Sequence, residues 1–377
     1  MSATHSRPSI ITPSDQGVAT VLLAGGQGSR LHELTAAESK PAVHFAGRNR
    51  IVDFAMANIV RSGLDRMLVA TQYAPATLHD HLPARWEGHF PQGGMVLCDG
   101  GNRYLGTADA VRHNWPQIAD WGSEQVLVLA ADHVYDMDYG PLIAAHRASG
   151  AAVTVAVDVV PLDQAGGFGV MQADDGGRIL SFLEKPAHPP AIPGEPDRAM
   201  VSMGVYVFKT DWLRDALFKG DIKPMDFGHD VIPVAVAQGI AAAYRLPAGP
   251  SGHVYWRDVG TLDALRLSHL DFVGQQPARL PRMSTLSEWY LGRGSVAMPG
   301  ALVPGSARLT GCLVAPGTQV PSGLVAGEDP DEDSRWFRRD KDTLLITQAM
   351  LDRRDAMRVP MTLPAGARHV LRPQDVA

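Results

Sequence analysis

Short apolar runs alternate with amphipathic segments through roughly the first 270 residues of the chain. The apolar runs have the length and β-branched content of buried strands, and they are "VATVLLA" (18–24), "RMLVATQ" (66–72), "QVLVLAAD" (125–132) and "AAVTVAVDVV" (151–160). Segments with helical periodicity lie between them, at 52–63, 107–115 and 139–150. Strands that alternate with crossover helices predict an α/β fold with a Rossmann-like, doubly wound, mostly parallel sheet.

The pattern changes after about residue 275, where Pro-Gly pairs separate single aliphatic residues. Val296, Leu302, Val314 and Val320 follow each other at intervals of six or a multiple of six. This spacing is typical of a left-handed parallel β-helix, although a proline-rich irregular loop produces part of the same pattern. We therefore predict two domains, 1–275 and 285–377, the second being a short β-helix with a charged C-terminal tail.

Composition excludes several classes of protein. Apolar residues make up 45% of the chain and charged residues 20%, as in ordinary globular proteins. The net charge of −6 gives no reason to expect nucleic-acid binding, and no apolar run is long enough to span a membrane. Two distant cysteines form neither a disulfide framework nor a thiolate zinc site. We expect a cytoplasmic protein that binds neither nucleic acid nor membranes.

The first candidate site is the glycine-rich turn that follows the strand 18–24. Gly25, Gly26 and Gly28 allow the backbone to approach a ligand and to direct N–H groups at anionic oxygens. The turn is not a P-loop, because Gly-Lys-Ser/Thr is missing, and Leu31 stands where a dinucleotide fingerprint needs its third glycine. Arg30 adds a guanidinium that can bind a phosphate with two hydrogen bonds.

Lysine is rare in this chain, which makes two lysines conspicuous. Only six of the 34 basic residues are lysine, and Lys40 and Lys185 each precede a proline in a motif-like stretch. An ammonium offers a compact charge that a planar guanidinium does not imitate. Lys185 follows Glu184, so a cation for a sugar phosphate lies beside an acceptor for sugar hydroxyls. Taken alone, Glu-Lys-Pro is also a common surface turn.

Two aspartates are candidates for a metal site. Asp132 follows a buried strand and Asp258 lies in the turn "YWRDVGT". Carboxylates at the carboxyl end of a sheet are suited to Mg2+, which would neutralise a leaving pyrophosphate. A helix N-cap is the alternative for Asp132. The histidines, including His133, have no metal-ligand spacing, and we interpret them as structural or surface residues.

The order of these motifs resembles the sugar-nucleotide pyrophosphorylases, most closely the bacterial glucose-1-phosphate adenylyltransferases. The similar stretches include "LAGGQGSRL", "KPAVHFAGRNRIVDFAMAN", "YLGTADAV", "LAADHVY", "EKPAHPP", "SMGVYVF", "DFGHDVIP" and "YWRDVGTLDA". They occur in the family's order from about residue 18 to 273, and the C-terminal end is also similar. The resemblance covers most of the chain.

The resemblance implies a role for each candidate residue. The catalytic group is Arg30, Lys40, Asp132 and Asp258, of which Asp132 and Asp258 would hold Mg2+ as cofactor. The residues implied in ATP binding are Leu23, Ala24, Gly25, Gly26, Gly28, Ser29, Gln72, Gly106 and Thr107. The residues implied in glucose 1-phosphate binding are Tyr104, Gly169, Glu184, Lys185 and Ser202.

The implied reaction joins ATP and glucose 1-phosphate into ADP-glucose and pyrophosphate, for glycogen biosynthesis. The resemblance also implies a homo-oligomer, either a tetramer as in the family or a dimer. Several positions depart from the family pattern: Glu38 and Ser39 replace basic residues, Leu105 an arginine and His229 a lysine, and the β-helix is short. Two alternatives follow, a catalytically silent regulatory subunit and a pyrophosphorylase for another nucleoside triphosphate.

Overall fold

A computed structural model describes residues 17–221, 223–246, 255–282 and 284–357. The chain divides into two compact units between Trp289 and Tyr290, and each unit is described by itself. Within the described residues, no helix is long and apolar enough to cross a membrane.

The first unit contains thirteen strands and eight helices among its described residues. The strands are β1 (Val18–Ala24), β2 (His44–Phe45), β3 (Asn49–Arg50), β4 (Met67–Thr71), β5 (Met95–Asp99), β6 (Gln125–Ala130), β7 (His133–Tyr135), β8 (Val153–Pro161), β9 (Gly169–Ala173), β10 (Ile179–Glu184), β11 (Arg198–Lys209), β12 (Ala241–Arg245) and β13 (Trp256–Asp258). The helices are α1 (Val52–Arg61), α2 (Ala76–Trp86), α3 (Thr107–His113), α4 (Trp115–Asp120), α5 (Gly140–Ser149), α6 (Thr210–Phe218), α7 (Ile232–Ala237) and α8 (Leu262–Leu270).

A nine-stranded sheet forms the centre of this unit, in the order β10-β9-β11-β6-β1-β4-β5, with β8 paired to β11 and β12 paired to β8. Strands β6, β1, β4 and β5 are parallel, which confirms the predicted α/β fold with a parallel-rich sheet. The other half departs from the prediction, because β11 is antiparallel to β6, β8 and β9. The hairpin of β9 and β10 needs no crossover helix, and antiparallel pairing results.

Helices cover both faces of the sheet, because the central strands are apolar on both sides. In β1, Val18 and Leu22 belong to the core beneath α1, α2 and α5, whereas Ala19 and Val21 belong to the core beneath α3, α4, α6 and α7. All four side chains are fully buried. Strands buried on both faces read as continuous apolar runs, as the sequence of β1 does.

A two-stranded ladder outside the large sheet brings distant residues together. Strand β7 begins directly after Asp132 and pairs antiparallel with β13, so that His133 lies opposite Asp258. The sequence predicts no strand at either place, since three-residue strands give too few alternations to be recognised. This ladder is the reason that Asp258 reaches the end of β6.

The second unit consists of short strands and two helices among its described residues. They are β14 (Tyr290–Gly292), β15 (Ser295–Ala297), β16 (Arg308–Leu309), β17 (Cys312–Val314), β18 (Val325–Ala326), α9 (Pro330–Trp336), β19 (Arg338–Asp340), β20 (Thr343–Ile346) and α10 (Gln348–Met357). Parallel pairs join Val296 to Leu313, Leu302 to Gln319 and Arg308 to Val325, each 17 positions apart. Three parallel contacts repeat at one interval, whereas β14 and β19 pair antiparallel with their neighbours.

Candidate active site

The glycine turn begins where β1 ends and leads into a 3-10 turn over Ser29–Thr35. Gly28 adopts the left-handed conformation, with φ of 70°. A Cβ atom on Gly28 would lie 2.6 Å from the Cβ of Lys40, so only glycine allows the lysine stem to pass this closely. Gly26, by contrast, is exposed and meets nothing within 4 Å. The turn therefore packs on one side against Lys40 and is open on the other.

Lys40 joins the two predicted metal ligands. Its Nζ donates to Oδ2 of Asp132 at 3.1 Å and to Oδ1 of Asp258 at 2.8 Å. Lys40 is only 4% exposed, and both aspartates are partly exposed. The main chain fixes the lysine as well, because its N–H donates to the carbonyl of Gly26. The structure thus brings together three of the four predicted catalytic residues.

Mutual stabilisation of these charges appears in their pKa values. Burial by itself raises the pKa of Asp132. The Lys40 ammonium, and after it the His133 ring, lower this pKa by more than burial raises it, so the net pKa lies well below the usual range. Burial lowers the pKa of Lys40, and the carboxylates of Asp132 and Asp258 more than reverse that effect. The lysine is therefore fully charged at neutral pH, and the site holds one buried cation between two carboxylates.

Arg30 lies at the edge of this group. Its side chain is 67% exposed, and its terminal nitrogen is 3.9 Å from Oδ2 of Asp258, which is too far for a hydrogen bond. Gly260 leaves the space that this contact needs, since a Cβ there would lie 2.8 Å from the guanidinium. An exposed guanidinium beside an open glycine turn is placed to bind an anion that enters from solvent.

The carboxylates of Asp132 and Asp258 fit a divalent cation of the hard type. No group of three or more His, Cys, Asp or Glu side chains within the described residues could hold a metal ion by itself. Mg2+ does not need such a group, because it takes one or two carboxylates and completes its shell with water and phosphate oxygens. Lys40 occupies one oxygen of each aspartate and leaves Oδ1 of Asp132 and Oδ2 of Asp258 for a further cation.

The residues predicted around the nucleotide base form a second cluster. Gln72 follows β4, and its Nε2 donates to the carbonyl of Tyr104 at 2.9 Å. Gly106 packs against the carbonyl of Met225, from which a Cβ would be 2.3 Å away. The hydroxyl of Thr107 donates to Oδ2 of Asp226 at 2.8 Å. Leu23, Ala24 and Ser29 lie on the adjoining end of β1 and its turn.

The predicted sugar-phosphate residues form a third cluster around Glu184. Gly169 lies opposite Glu184 in the β9–β10 hairpin, and a Cβ on Gly169 would lie 3.0 Å from Oε2 of Glu184. Lys185 is 65% exposed, has a positive φ of 44° and places its Nζ 3.4 Å from Oε1 of Glu184. Ser202 lies at an irregularity of β11 and donates its hydroxyl to Tyr206 at 3.1 Å.

Tyr104 is placed differently from the other predicted sugar-phosphate residues. Its ring is 7% exposed and belongs to the core beneath α3 and α4, and its hydroxyl accepts from Nδ2 of Asn114 at 2.7 Å. Gly100 leaves room for the ring, because a Cβ there would lie 2.4 Å from it. The contact of Tyr104 with a sugar phosphate stays a prediction, and its ring has a structural role in the core beneath α3 and α4.

Sequence reasoning missed two residues that organise the site. Asp226 accepts from Thr107 through Oδ2 and from the main-chain N–H groups of Gly228 and His229 through Oδ1. Gly228 in turn packs against Glu184, so Asp226 connects the nucleotide side with the sugar side. His133 is the second missed residue, 3.5 Å from Asp132. In the sequence, the one feature that points to His133 is its position directly after Asp132.

Comparisons with known proteins identify the family of the chain. The sequence model described as Nucleotidyl transferase matches residues 19–273. A glucose-1-phosphate adenylyltransferase of Granulibacter bethesdensis is 39% identical over an alignment of 401 positions, which covers 88% of this chain and 96% of the relative. Its counterpart from Roseobacter denitrificans is 38% identical, with coverage of 89% and 96%. That from Gemmatimonas aurantiaca is 37% identical, with coverage of 91% and 100%.

Proposed function

The chain belongs to the nucleotidyl transferase family and, within it, to the glucose-1-phosphate adenylyltransferases; from this premise we propose that it makes ADP-glucose and pyrophosphate from ATP and glucose 1-phosphate. The observation that carries the proposal is the bridge of Lys40 between Asp132 and Asp258, beside an open glycine turn. A buried cation paired with two carboxylates beside an open glycine turn serves the transfer of a phosphoryl-type group.

In this reaction an oxygen of the sugar phosphate attacks the α-phosphorus of ATP. The bond between that phosphorus and the oxygen bridging to the β-phosphate breaks, and pyrophosphate leaves with the electron pair. Charge therefore develops on the leaving group. We assign Arg30 and Lys40 to that charge and the N–H groups of the Gly25–Gly28 turn to the triphosphate. In-line positioning and electrostatic stabilisation then suffice, without a covalent intermediate.

Asp132 and Asp258 are the residues that would hold Mg2+. When bound there, the ion supplies positive charge to the phosphate oxygens and lowers the cost of bringing two anions together. The side chains themselves supply a preformed pair of oxygen ligands, whose charges Lys40 balances until the nucleotide arrives.

We assign the two substrates to opposite sides of the Asp132–Asp258 pair. Gln72 and the Gly106–Thr107 turn lie on the nucleotide side, with Leu23, Ala24 and Ser29 beneath the triphosphate. Glu184, Lys185, Gly169 and Ser202 lie on the sugar side, where an exposed ammonium beside a carboxylate offers one charge for the phosphate and one acceptor for hydroxyls. Asp226 keeps the two sides at a fixed separation through Thr107 and Gly228.

Further parts of the proposal concern the pathway and the cellular location of the reaction, the fold of the second unit and the oligomeric state of the protein. We assign the product to glycogen biosynthesis in the cytoplasm, without nucleic-acid or membrane partners. We also propose that the repeat of 17 positions in the second unit is one shortened coil of a left-handed β-helix, and that the protein is a homo-oligomer. The catalytic region would then be 1–275 and the β-helix region 285–377.

A pyrophosphate-release assay tests the proposed function. Glucose 1-phosphate is supplied with ATP, UTP, GTP or dTTP, with and without Mg2+, and the sugar nucleotide is identified by mass spectrometry. We expect ADP-glucose with ATP and Mg2+, and at most a small fraction of that rate with the other nucleotides. Turnover with none of the four would contradict the proposal and favour a regulatory subunit. Turnover chiefly with UTP, GTP or dTTP would reassign the nucleotide.

A further inference from the structure

His133 lies beside both carboxylates of the proposed metal pair. It is the first residue of β7 and directly follows Asp132, and the β7–β13 ladder places it opposite Asp258. Its Nε2 is 3.5 Å from Oδ1 of Asp132 and 4.0 Å from Oδ1 of Asp258. The main chain therefore fixes the imidazole next to two residues that are 126 positions apart in the numbering, since 258 − 132 = 126.

Packing holds the imidazole in this place. The ring meets Trp256 edge to face, with centroids 5.1 Å apart and planes at 68°. Phe168 packs against the same indole at 5.1 Å. Gly204, which has a φ of 69°, lies against the ring: a Cβ there would make an ordinary contact of 3.6 Å with Cε1 of His133 and a tight one of 3.0 Å with Ala130. The side chain is only 13% exposed, so its orientation is set by these neighbours.

The surroundings also determine where the ring carries its hydrogen. Carboxylate oxygens accept hydrogen bonds and do not donate them, so Nε2 must carry a hydrogen in order to stabilise Asp132. Nδ1 is buried and has no hydrogen-bond partner within the part of the chain that the structure describes. No acceptor in that part of the chain therefore favours the other tautomer, in which Nδ1 carries the hydrogen. The distance of 3.5 Å is long for a hydrogen bond, and bonds of this kind in catalytic sites often shorten when substrates bind.

We propose that His133 is a positioning residue, which holds the carboxylate of Asp132 in the orientation that binds a divalent cation. The inference rests on the proposed function of this site. Lys40 donates to Oδ2 of Asp132, and this single hydrogen bond at 3.1 Å leaves the planar carboxylate room to rotate over part of the broad range of its terminal torsion. With Nε2–H of His133 on Oδ1, both oxygens of the carboxylate are fixed relative to Asp258. His133 acts through Asp132 and contacts neither substrate.

Three substitutions separate this role from simple packing. Glutamine carries an amide nitrogen that reaches about as far from the backbone as Nε2 of histidine, whereas the amide nitrogen of asparagine reaches only as far as Nδ1. His133→Gln therefore keeps a donor for Asp132, and His133→Asn loses it. His133→Leu fills the space beside Trp256 with no donor at all. His89→Gln, at an exposed histidine, is the matched control.

The experiment measures Mn2+ binding to the full chain without substrates, by electron paramagnetic resonance of the free ion, with circular dichroism to verify folding. We expect His133→Asn and His133→Leu to weaken Mn2+ binding about tenfold or more, and His133→Gln to remain within about threefold of the wild type. In the ADP-glucose assay, kcat should fall in the same order, with the KM for glucose 1-phosphate unchanged.

Two results would overturn the inference: Mn2+ binding equal to wild type in the folded leucine or asparagine variant, or an equal loss in the glutamine variant. If the asparagine variant does not fold, the leucine and glutamine variants decide the question. Failure of the proposed function gives a different result, namely wild-type protein that binds Mn2+ and makes no sugar nucleotide. The Mn2+ comparison remains decisive for His133 in that case.

Discussion

The Nζ atom of Lys40 lies 2.8 Å from Oδ1 of Asp258, although 218 positions separate the two residues. The same ammonium binds Asp132, and Lys40 is almost completely buried. Burial makes such a pairing consequential, because an ion pair that loses one partner leaves a charge in a poorly solvated place. The relationship therefore links the stability of the first unit with the chemistry proposed for it.

Replacing Lys40 by methionine is expected to damage both properties. The stem keeps its volume, but two carboxylates face each other without their cation, so we expect the free energy of unfolding to fall by about 2–3 kcal/mol at pH 7. Adenylyl transfer should fall by about a hundredfold or more, because a charge that stabilises the leaving group is lost. Urea unfolding and pyrophosphate release measure the two effects.

Lys185→Met is the matched control for Lys40→Met. The Lys185 ammonium is mostly exposed, so its removal should change the free energy of unfolding by less than about 0.5 kcal/mol. We expect a higher KM for glucose 1-phosphate in this variant, with little change in the KM for ATP. Equal loss of stability in the two methionine variants would show that the burial of Lys40 has no energetic consequence.

Gly28→Ala and Gly26→Ala form a second pair with opposite expectations. A methyl group on Gly28 meets the Lys40 stem at 2.6 Å in a left-handed backbone, so we expect about 1–2 kcal/mol lower stability and weaker activity. A methyl group on Gly26 meets no protein atom within 4 Å, so stability should not change. If the triphosphate approaches Gly26, that variant instead raises the KM for ATP. Thermal unfolding and initial rates distinguish the two glycines.

Three of the four parallel strands, β1, β4 and β6, and the helix α1 could be predicted from the sequence, because each shows its period, whereas β5 and α2 were not predicted. The run "VATVLLA" is β1 without adjustment, and α1 ends just before Gly63, whose φ is 70°. The approach of Asp258 to Asp132 could not be derived in this way. It depends on the β7–β13 ladder, whose strands are three residues long, and on pairing between distant segments.

Side-chain orientation was the other part that the sequence did not determine. Tyr104 stands in a stretch similar to a family motif, yet its ring packs inward because Gly100 leaves room for it. Asp226 also lies in such a stretch. Its role as a link between Thr107 and Gly228 depends on the orientation of its two carboxylate oxygens, which the sequence does not determine. Similarity assigns a position to a site, whereas packing decides which way the side chain turns.

Stability should depend on pH through buried histidines. Burial lowers the pKa of His146 from the usual 6.5 to about 4, and its Nδ1 contacts Thr154 at 2.8 Å inside the core. The unfolded state then binds more protons, so the contribution of His146 is complete above pH 6.5 and is lost as the pH falls toward 4. His44 and His269 have pKa values lowered to about 4 in the same way.

His146→Gln tests that dependence, since glutamine does not titrate. Between pH 7 and pH 5 the loss of unfolding free energy should be about 2 kcal/mol smaller in the variant than in the wild type. Urea denaturation at the two pH values gives the difference, and His89→Gln serves as the exposed control. An unchanged pH dependence would show that His146 keeps an ordinary pKa in the folded protein.

We expect Gln72 to select the nucleotide base at the proposed site. A carbonyl oxygen only accepts, so the contact with the Tyr104 carbonyl at 2.9 Å requires the amide nitrogen of Gln72 to face it. Its Oε1 accepts no hydrogen bond from the described residues and faces the turn, where a Cβ on Gly25 would lie 3.7 Å away. An acceptor complements the amino group of adenine and opposes the O4 carbonyl of uracil or thymine at the corresponding position.

Gln72→Met removes the acceptor and keeps the volume of the side chain. We expect kcat/KM for ATP to fall about tenfold, the value of one good base contact, while the low kcat/KM for UTP stays constant or rises. The ratio of kcat/KM for ATP to kcat/KM for UTP should therefore fall, mainly because kcat/KM for ATP falls. Initial rates with each nucleotide at fixed glucose 1-phosphate measure this ratio. A proportional loss for both nucleotides would mean that Gln72 supports the Tyr104 loop and does not read the base.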